Sequence, residues 1–345
     1  MCLHQSVRAG VAALALSLGA FAPAMATDVF LVASYHETDV CGQPQYKAAM
    51  DALKQGGFAN LTSKGYFLDT RVRSKEDVAK DIEQIKKDIR AAKPKFVFTI
   101  DDPAFAMLYE EVLKQPDTKL VFTGLNRSLD FYNQKAPFLS KRTPSANITG
   151  IFEYIFMREQ FDMLETVLKR PVKKVAVLHS TDPVGIILKD QIMAELKGTK
   201  YEDSLVMFAA EDIPTMLKHA KTINDTKDID AYIPVTMSTV DPTDNTRKTM
   251  EKVAPMLTKA IRKIDISLNS SFTEYGFFGG VSIDFYQMGF QSGFQAVKLL
   301  KGGAIKDAPV EDAKRSIIAI NRKRMQELGI KLSPQAQGVV DKWIQ

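Results

Sequence analysis

Residues 74–105 read SKEDVAKDIEQIKKDIRAAKPKFVFTIDDPAF. Val78, Ile82, Ile85, Ile89 and Ala92 recur at helical spacing and charged residues fill most other positions, which predicts an amphipathic helix with one apolar stripe. Ser74 can cap its first turn, with Asp77 three residues on, and Pro94 stops it. The run FVFTI that follows has strand length and no polar face, as a strand covered on both sides requires. Asp101-Asp102-Pro103 then turns the chain into a second helix, with Asp102 placed to be the N-cap and Pro103 at the first helical position. Helix, buried strand, polar turn and helix in succession are the unit of a parallel α/β sheet.

The same unit repeats on both sides of this stretch. Strand-length runs lie at 29–34, 66–70, 96–100 and 120–123, and a second series at 148–152, 174–179, 205–209, 229–235 and 264–268. Helices are expected to start near Met157, Pro183, Pro214 and Asn245. The Pro-, Lys- and Ser-rich stretch 135–146 reads as the first crossing between the series. Strands at 280–283 and 317–320 and a helix at 286–301, stopped by Gly302-Gly303, are too few for a third domain. They must complete the first two sheets, so the chain crosses more than once. The expectation is two Rossmann-like, doubly wound parallel-sheet lobes joined by a multi-strand hinge: residues 27–147 with 272–303, and 148–271 with 304–345.

The chain starts with an apolar Ala/Leu-rich run at 11–22, behind Arg8 and ahead of Pro-Ala-Met-Ala at 23–26. This pattern is that of a secretory signal cut after Ala26, and the run is too short to be a membrane anchor. A periplasmic product is expected, with Cys2 removed and Cys41 left without a disulfide partner. The 345 residues carry 46 Lys and Arg against 41 Asp and Glu, a net charge of +5, dispersed along the chain. That distribution argues against a nucleic-acid binder.

Enzyme motifs are lacking: the sequence has no P-loop, no G-x-S-x-G, no H-E-x-x-H and no C-x-x-C. Its four histidines, among them His36, His179 and His219, have no metal-ligand spacing. No catalytic residue, metal or cofactor is expected. Polar residues gather instead where strands end, which is where open parallel sheets bind ligands. Those ends supply Ser34, Tyr35 and His36; Asp101 and Asp102; Thr123 and Asn126; Glu153; His179 and Ser180; Thr236; Asn245; and Asp284 with Tyr286. Asp101 can accept from an ammonium, and the helix start beside it can hold an anionic group. Tyr35, Tyr154, Phe285 and Tyr286 are candidates for an aromatic wall. The pair Gly289-x-x-x-Gly293 suits close packing of a helix on a sheet.

Several segments carry a family resemblance in their order and spacing over about 300 residues. They are LVASYHETD at 31–39, FLDTR at 67–71, FTIDDPAF at 98–105, VFTGLN at 121–126 and ANITGIFEY at 146–154, then DPTDNT at 241–246, GVSIDFYQMG at 280–289 and LLKGG at 299–303. The chain resembles the type 1 periplasmic substrate-binding proteins of ABC transporters. Within them it is similar to the branch that holds tryptophan- and phenylalanine-binding members and sensor-associated periplasmic domains. The resemblance implies a monomeric two-lobed clamp that closes on a small polar, amino-acid-like ligand and delivers it to an ABC permease. The alternative it implies is a ligand sensor that docks on a membrane histidine kinase or diguanylate cyclase. An exported α/β enzyme is a third reading, which would require turnover dependent on Asp101 or Asp102.

Overall fold

The computed structural model describes residues 27–235 and 238–345. The proposed signal at 1–26 and Thr236 lie outside them. The first half runs β1 (Val29–Ala33), α1 (Gly42–Gln55), β2 (Ser63–Phe67), α2 (Lys75–Ala92), β3 (Phe96–Ile100), α3 (Asp101–Leu113), β4 (Lys119–Leu125) and α4 (Leu129–Lys135). A two-residue hairpin, β5 (Leu139–Ser140) and β6 (Thr143–Pro144), precedes β7 (Ile148–Phe152). These strands form a parallel sheet in the order β2-β1-β3-β4-β7, and β15 (Glu311–Asp312) adds to the β7 edge.

Period-two alternation sends Phe30 and Val32 to one face of β1 and Val29 and Leu31 to the other. On the first face the predicted stripe Val78, Ile82, Ile85 and Ile89 of α2 is buried against α3 and the sheet. Ser74 caps α2, its hydroxyl accepting from the Asp77 N–H. On the opposite face α1 packs with α10 (Phe285–Leu300). Gly289 and Gly293 allow this approach, because a Cβ at either would lie 2.4–2.5 Å from the carbonyl oxygen of Gln45 or Ala49. The pair therefore serves helix-on-helix packing and not the helix-on-sheet packing expected from sequence.

The second half runs α5 (Met157–Leu168), β8 (Lys174–Ser180), α6 (Pro183–Leu196), β9 (Leu205–Ala210), α7 (Ile213–Asp225) and β10 (Ile229–Val235). It continues through a hairpin of β11 (Ser238–Asp241) and β12 (Thr246–Thr249), α8 (Met250–Ala260), β13 (Ile264–Asp265), α9 (Ser270–Glu274) and β14 (Gly279–Ile283). After α10 and β15 come β16 (Ser316–Asn321), α11 (Arg322–Glu327), α12 (Pro334–Gly338) and β17 (Lys342–Ile344). The parallel order is β13-β10-β8-β9, and β14, β16 and β17 make a three-stranded sheet joined to it by bridges at Ile266–Gly279 and Asn269–Ile283. Arg324 of α11 is buried there, donating to the Asp265 carboxylate at 2.6 and 2.8 Å and to the carbonyls of Ile261 and Thr258.

Three expectations change. Residues 148–152 pair with β4 and close the first sheet instead of opening the second series. Residues 135–146 stay beside the first sheet as the end of α4 and the β5–β6 hairpin; the crossings run through Glu153–Phe156, Asp284 and Ala313–Arg315. Residues 270–283 sit with the second sheet, while 285–312 return to the first, which moves the boundaries drawn at 272 and 304. A continuous apolar strand fits either sheet equally well, so hydrophobicity does not say which neighbour it pairs with.

Candidate functional site

The carboxyl ends of the two sheets face one cleft, lined by Tyr35, Cys41, Arg71, Asp101, Asn126 and Glu153 from the first sheet and its loops. The rest of the lining is apolar, with Leu188 and Phe272 from the second lobe, Phe285 from the start of α10, and Asn269 as its polar residue. The cleft opens into a wider mouth lined by His36, Asp39, Asp69, Glu251 and Tyr275.

Asp101 stands at the centre. Its backbone has φ of +65°, a left-handed conformation uncommon outside glycine, Asn and Asp. The conformation is enforced from β1: the Ser34 hydroxyl donates to the Ile100 carbonyl at 2.6 Å and accepts from the Ala104 N–H at 2.9 Å. Ser34 thereby satisfies the start of α3 and turns the Asp101 side chain inward. Gly124 leaves the room, since a Cβ there would lie 2.6 Å from Asp101 Oδ1. Asp101 is buried, and its Oδ2 has no hydrogen-bond partner. Burial, reinforced by the charges of Glu153 and Asp39, raises its carboxyl well above the usual range.

Asp102 has the opposite fate. Its carboxylate accepts from the N–H of Asn126 at 2.9 Å, from the Arg127 N–H at 3.3 Å and from the Tyr132 hydroxyl at 2.7 Å. It latches the loop after β4 and does not line the cavity. The helix begins two residues earlier than expected, with Ile100 at the N-cap position, so the capping role assigned to Asp102 is not observed.

Glu153, on the first crossing, projects its carboxyl into the cavity, and burial pushes its pKa up to about 8 despite help from Asn126. Asn126 donates to the Gln191 side chain at 3.1 Å, and Gln191 of α6 donates to the Glu153 carbonyl at 2.5 Å. These bonds connect the two lobes across the cleft. The Arg71 guanidinium carbon lies over the Tyr35 ring, 3.6 Å from its centroid, and the guanidinium is paired with the Asp39 carboxylate. Asp39 also accepts from the N–H groups of Cys41 and Gly42 at the start of α1. Burial and the neighbouring Asp39 hold the Cys41 thiol protonated.

Of the residues expected from sequence, Tyr35, Asp101, Asn126 and Glu153 line the cavity, and His36 lies at its mouth. Thr123 is buried beneath it, donating to Gln45. His179 and Ser180 are enclosed at the end of β8, where His179 Nδ1 meets the Ser180 carbonyl and Gly185 packs on Ser180. Asp284 caps α10 by accepting from the Gln287 N–H, and the Tyr286 hydroxyl donates to Asp51 on α1. Asn245 is exposed at the tip of the β11–β12 hairpin, where a helix had been expected; α8 starts at Met250. Phe285 joins Tyr35 in the aromatic lining, whereas Tyr154 and Tyr286 do not. Arg71, Cys41, Asn269 and Phe272 were not among the expected site residues. Arg71 and Asn269 both follow strand ends, so the rule that found Asp101 could have found them.

A family model described as ABC transporter substrate-binding protein matches residues 43–338. The chain belongs to that family. A curated relative, the tyrosine-binding protein of Clostridioides difficile strain R20291, is 20% identical over 297 residues, covering 81% of this chain and 77% of that one. The ligand-free, open structure of a substrate-binding protein with adhesive properties from Clostridium difficile superposes with a TM-score of 0.68 at 16% identity, covering 92% of this chain and 98% of that one. The ABC domain in complex with L-Trp from Streptococcus pneumonia gives 0.66 at 18% identity, with 92% and 99% covered. The fold is the type 1 periplasmic binding fold, and this family consists of substrate-binding proteins. Among the described residues no helix is long and apolar enough to cross a membrane, and no group of three or more His, Cys, Asp or Glu could hold a metal ion.

Proposed function

We propose that this protein is a periplasmic binding protein that closes its two lobes on a small, amino-acid-sized solute and presents the closed form to an ABC permease. One observation carries the reading: a cavity at the carboxyl ends of both sheets, with charged groups from the first lobe, an apolar wall containing Leu188 and Phe272 from the second, and Phe285 at the start of α10 where the chain crosses back. Such a lining grips a solute only when both lobes meet it, so the ligand stabilises the closed state by its difference in affinity between open and closed forms. Binding without turnover fits the chemistry of the lining, where the one thiol, Cys41, is held protonated by burial. The tyrosine-binding relative supports a solute of this size.

The test is a thermal-shift screen of ligand-free protein against amino acids, amines and carboxylates, followed by small-angle scattering with the best hit. Stabilisation accompanied by a decrease in radius of gyration is expected. A panel without any stabilising compound would refute the reading.

A further inference from the structure

Six helix starts border the cleft, and each is already capped by the chain itself. Asp39 accepts from Cys41 and Gly42 at α1, and the Ser34 hydroxyl accepts from Ala104 at α3. Glu195 accepts from the N–H groups of Ile155 and Met157 at α5, at 2.9 and 3.1 Å. Asp182 accepts from Val184 at α6, Asn269 from Phe272 at α9 and Asp284 from Gln287 at α10. Free N–H groups at helix starts are the usual seats for a ligand carboxylate, and here a side chain already takes at least one of them at each start.

The one basic side chain in the cavity lining is equally engaged. Arg71 is held between the face of Tyr35 and the carboxylate of Asp39, and Asp39 is itself anchored by two backbone N–H groups. Against this neutral pair stand Asp101 and Glu153, two buried carboxyls with no basic partner of their own. Asp101 Oδ2 is the one buried side-chain polar atom of the cavity lining without a hydrogen-bond partner among the described residues. The mouth outside repeats the sign, with Asp69 and Glu251 beside the Asp39–Arg71 pair. The overall charge of the chain is +5, so the acidic cleft is a local feature.

The site therefore offers a ligand no unengaged cation, but two buried carboxyls that can ionise against an ammonium brought to them. From this juxtaposition we infer that the preferred ligand is an apolar, ring-bearing primary amine without a carboxylate, its ammonium donating to Asp101 and Glu153 and its ring resting against Phe272 and Phe285. This inference rests on the binding-protein reading and narrows it. A zwitterionic amino acid would bring a carboxylate with no unengaged cation to receive it. An ammonium–carboxylate hydrogen bond in a buried site contributes about 1.5–3 kcal/mol, which corresponds to roughly tenfold to a hundredfold in affinity.

The experiment is isothermal titration calorimetry of the full mature chain, stripped of ligand by unfolding and refolding, with 2-phenylethylamine, L-phenylalanine and 3-phenylpropionate as probes. Expected is at least tenfold tighter binding of 2-phenylethylamine than of L-phenylalanine, and no measurable binding of 3-phenylpropionate. Asp101→Asn should weaken the amine at least tenfold. Asp39→Asn keeps an oxygen for the cap of α1 but releases Arg71, so it should shift the preference towards L-phenylalanine. L-Phenylalanine binding as tightly as the amine, or Asp39→Asn leaving the ratio unchanged, overturns the inference and leaves the binding function standing. Failure of every compound in the wider thermal-shift panel would instead overturn both.

Discussion

Glu153 supplies a stability signature that can be measured before any ligand is known. Its carboxyl is buried in the cavity and titrates near 8, against an ordinary value of 4.5. The groups around it are Asp101, Asp102 and Asn126 on the first lobe and Glu195 on α6. Between pH 4.5 and 8 the folded, ligand-free protein therefore holds a proton that the unfolded chain has released. Stability must fall as pH rises through this window, by up to about 1.4 kcal/mol per pH unit for one group. From pH 5.5 to 7.5 that is up to about 3 kcal/mol, or roughly 4–5 °C in Tm at about 2.1 cal/mol/K of unfolding entropy per residue. Glu195, raised to about 7, and Asp101, raised by burial, push in the same direction, so the wild-type slope alone does not isolate Glu153. Glu153→Gln does, because the amide is a near-isostere that does not titrate. Differential scanning calorimetry of ligand-free wild type and Glu153→Gln from pH 5 to 8.5 should show curves that diverge as pH rises, the variant falling less. Parallel curves would show that Glu153 is hydrated and ionised in the folded protein, and that the cavity is not the desolvated acidic site described above.

Adjacent aspartates should respond in opposite ways. Asp101→Asn removes an unpaired buried carboxyl at a backbone conformation that Asn tolerates, so the ligand-free Tm should hold or rise; Asp102→Ala breaks three hydrogen bonds and should cost about 1–3 kcal/mol in urea unfolding. Arg324→Met strands the fully buried Asp265 and two carbonyls, and is expected to cost about 3–5 kcal/mol; adding Asp265→Leu should recover much of it by the same denaturant titration. Gly289→Leu places a side chain against the Gln45 backbone and should force α10 off α1, for a loss of at least about 2 kcal/mol in chemical denaturation. Because Phe285 at the start of α10 lines the cavity, ligand affinity should fall in that variant as well.

Much of the site was legible because strand ends are local. A strand followed by a polar turn reveals its carboxyl end in the sequence, and in a parallel sheet every such end points the same way. Asp101, Asn126 and Glu153 were found by that rule. It also returned His179, Ser180, Thr123 and Asp284, which stand at strand ends but turn into the sheet or cap a helix. The rule locates an edge and is silent about which side of it a side chain takes. The division between Asp101 and Asp102 depends on a hydroxyl from another strand, Ser34, and on backbone N–H groups about 25 residues away.

What the sequence determined by itself is the fold: the stripe of Val78, Ile82, Ile85 and Ile89, the buried run of 96–100 and their repetition are consequences of burial periodicity, which each segment carries locally. The tertiary structure decided the rest. It assigned residues 148–152 to the first sheet, chose where the chain crosses, and paired Arg71 with Asp39 from separate loops. That pairing determines whether the cleft presents a free cation, and so what it can hold. Charge in a buried site is a property of which groups meet, and their meeting is arranged by sheet order and loop closure over tens of residues, which no local pattern records.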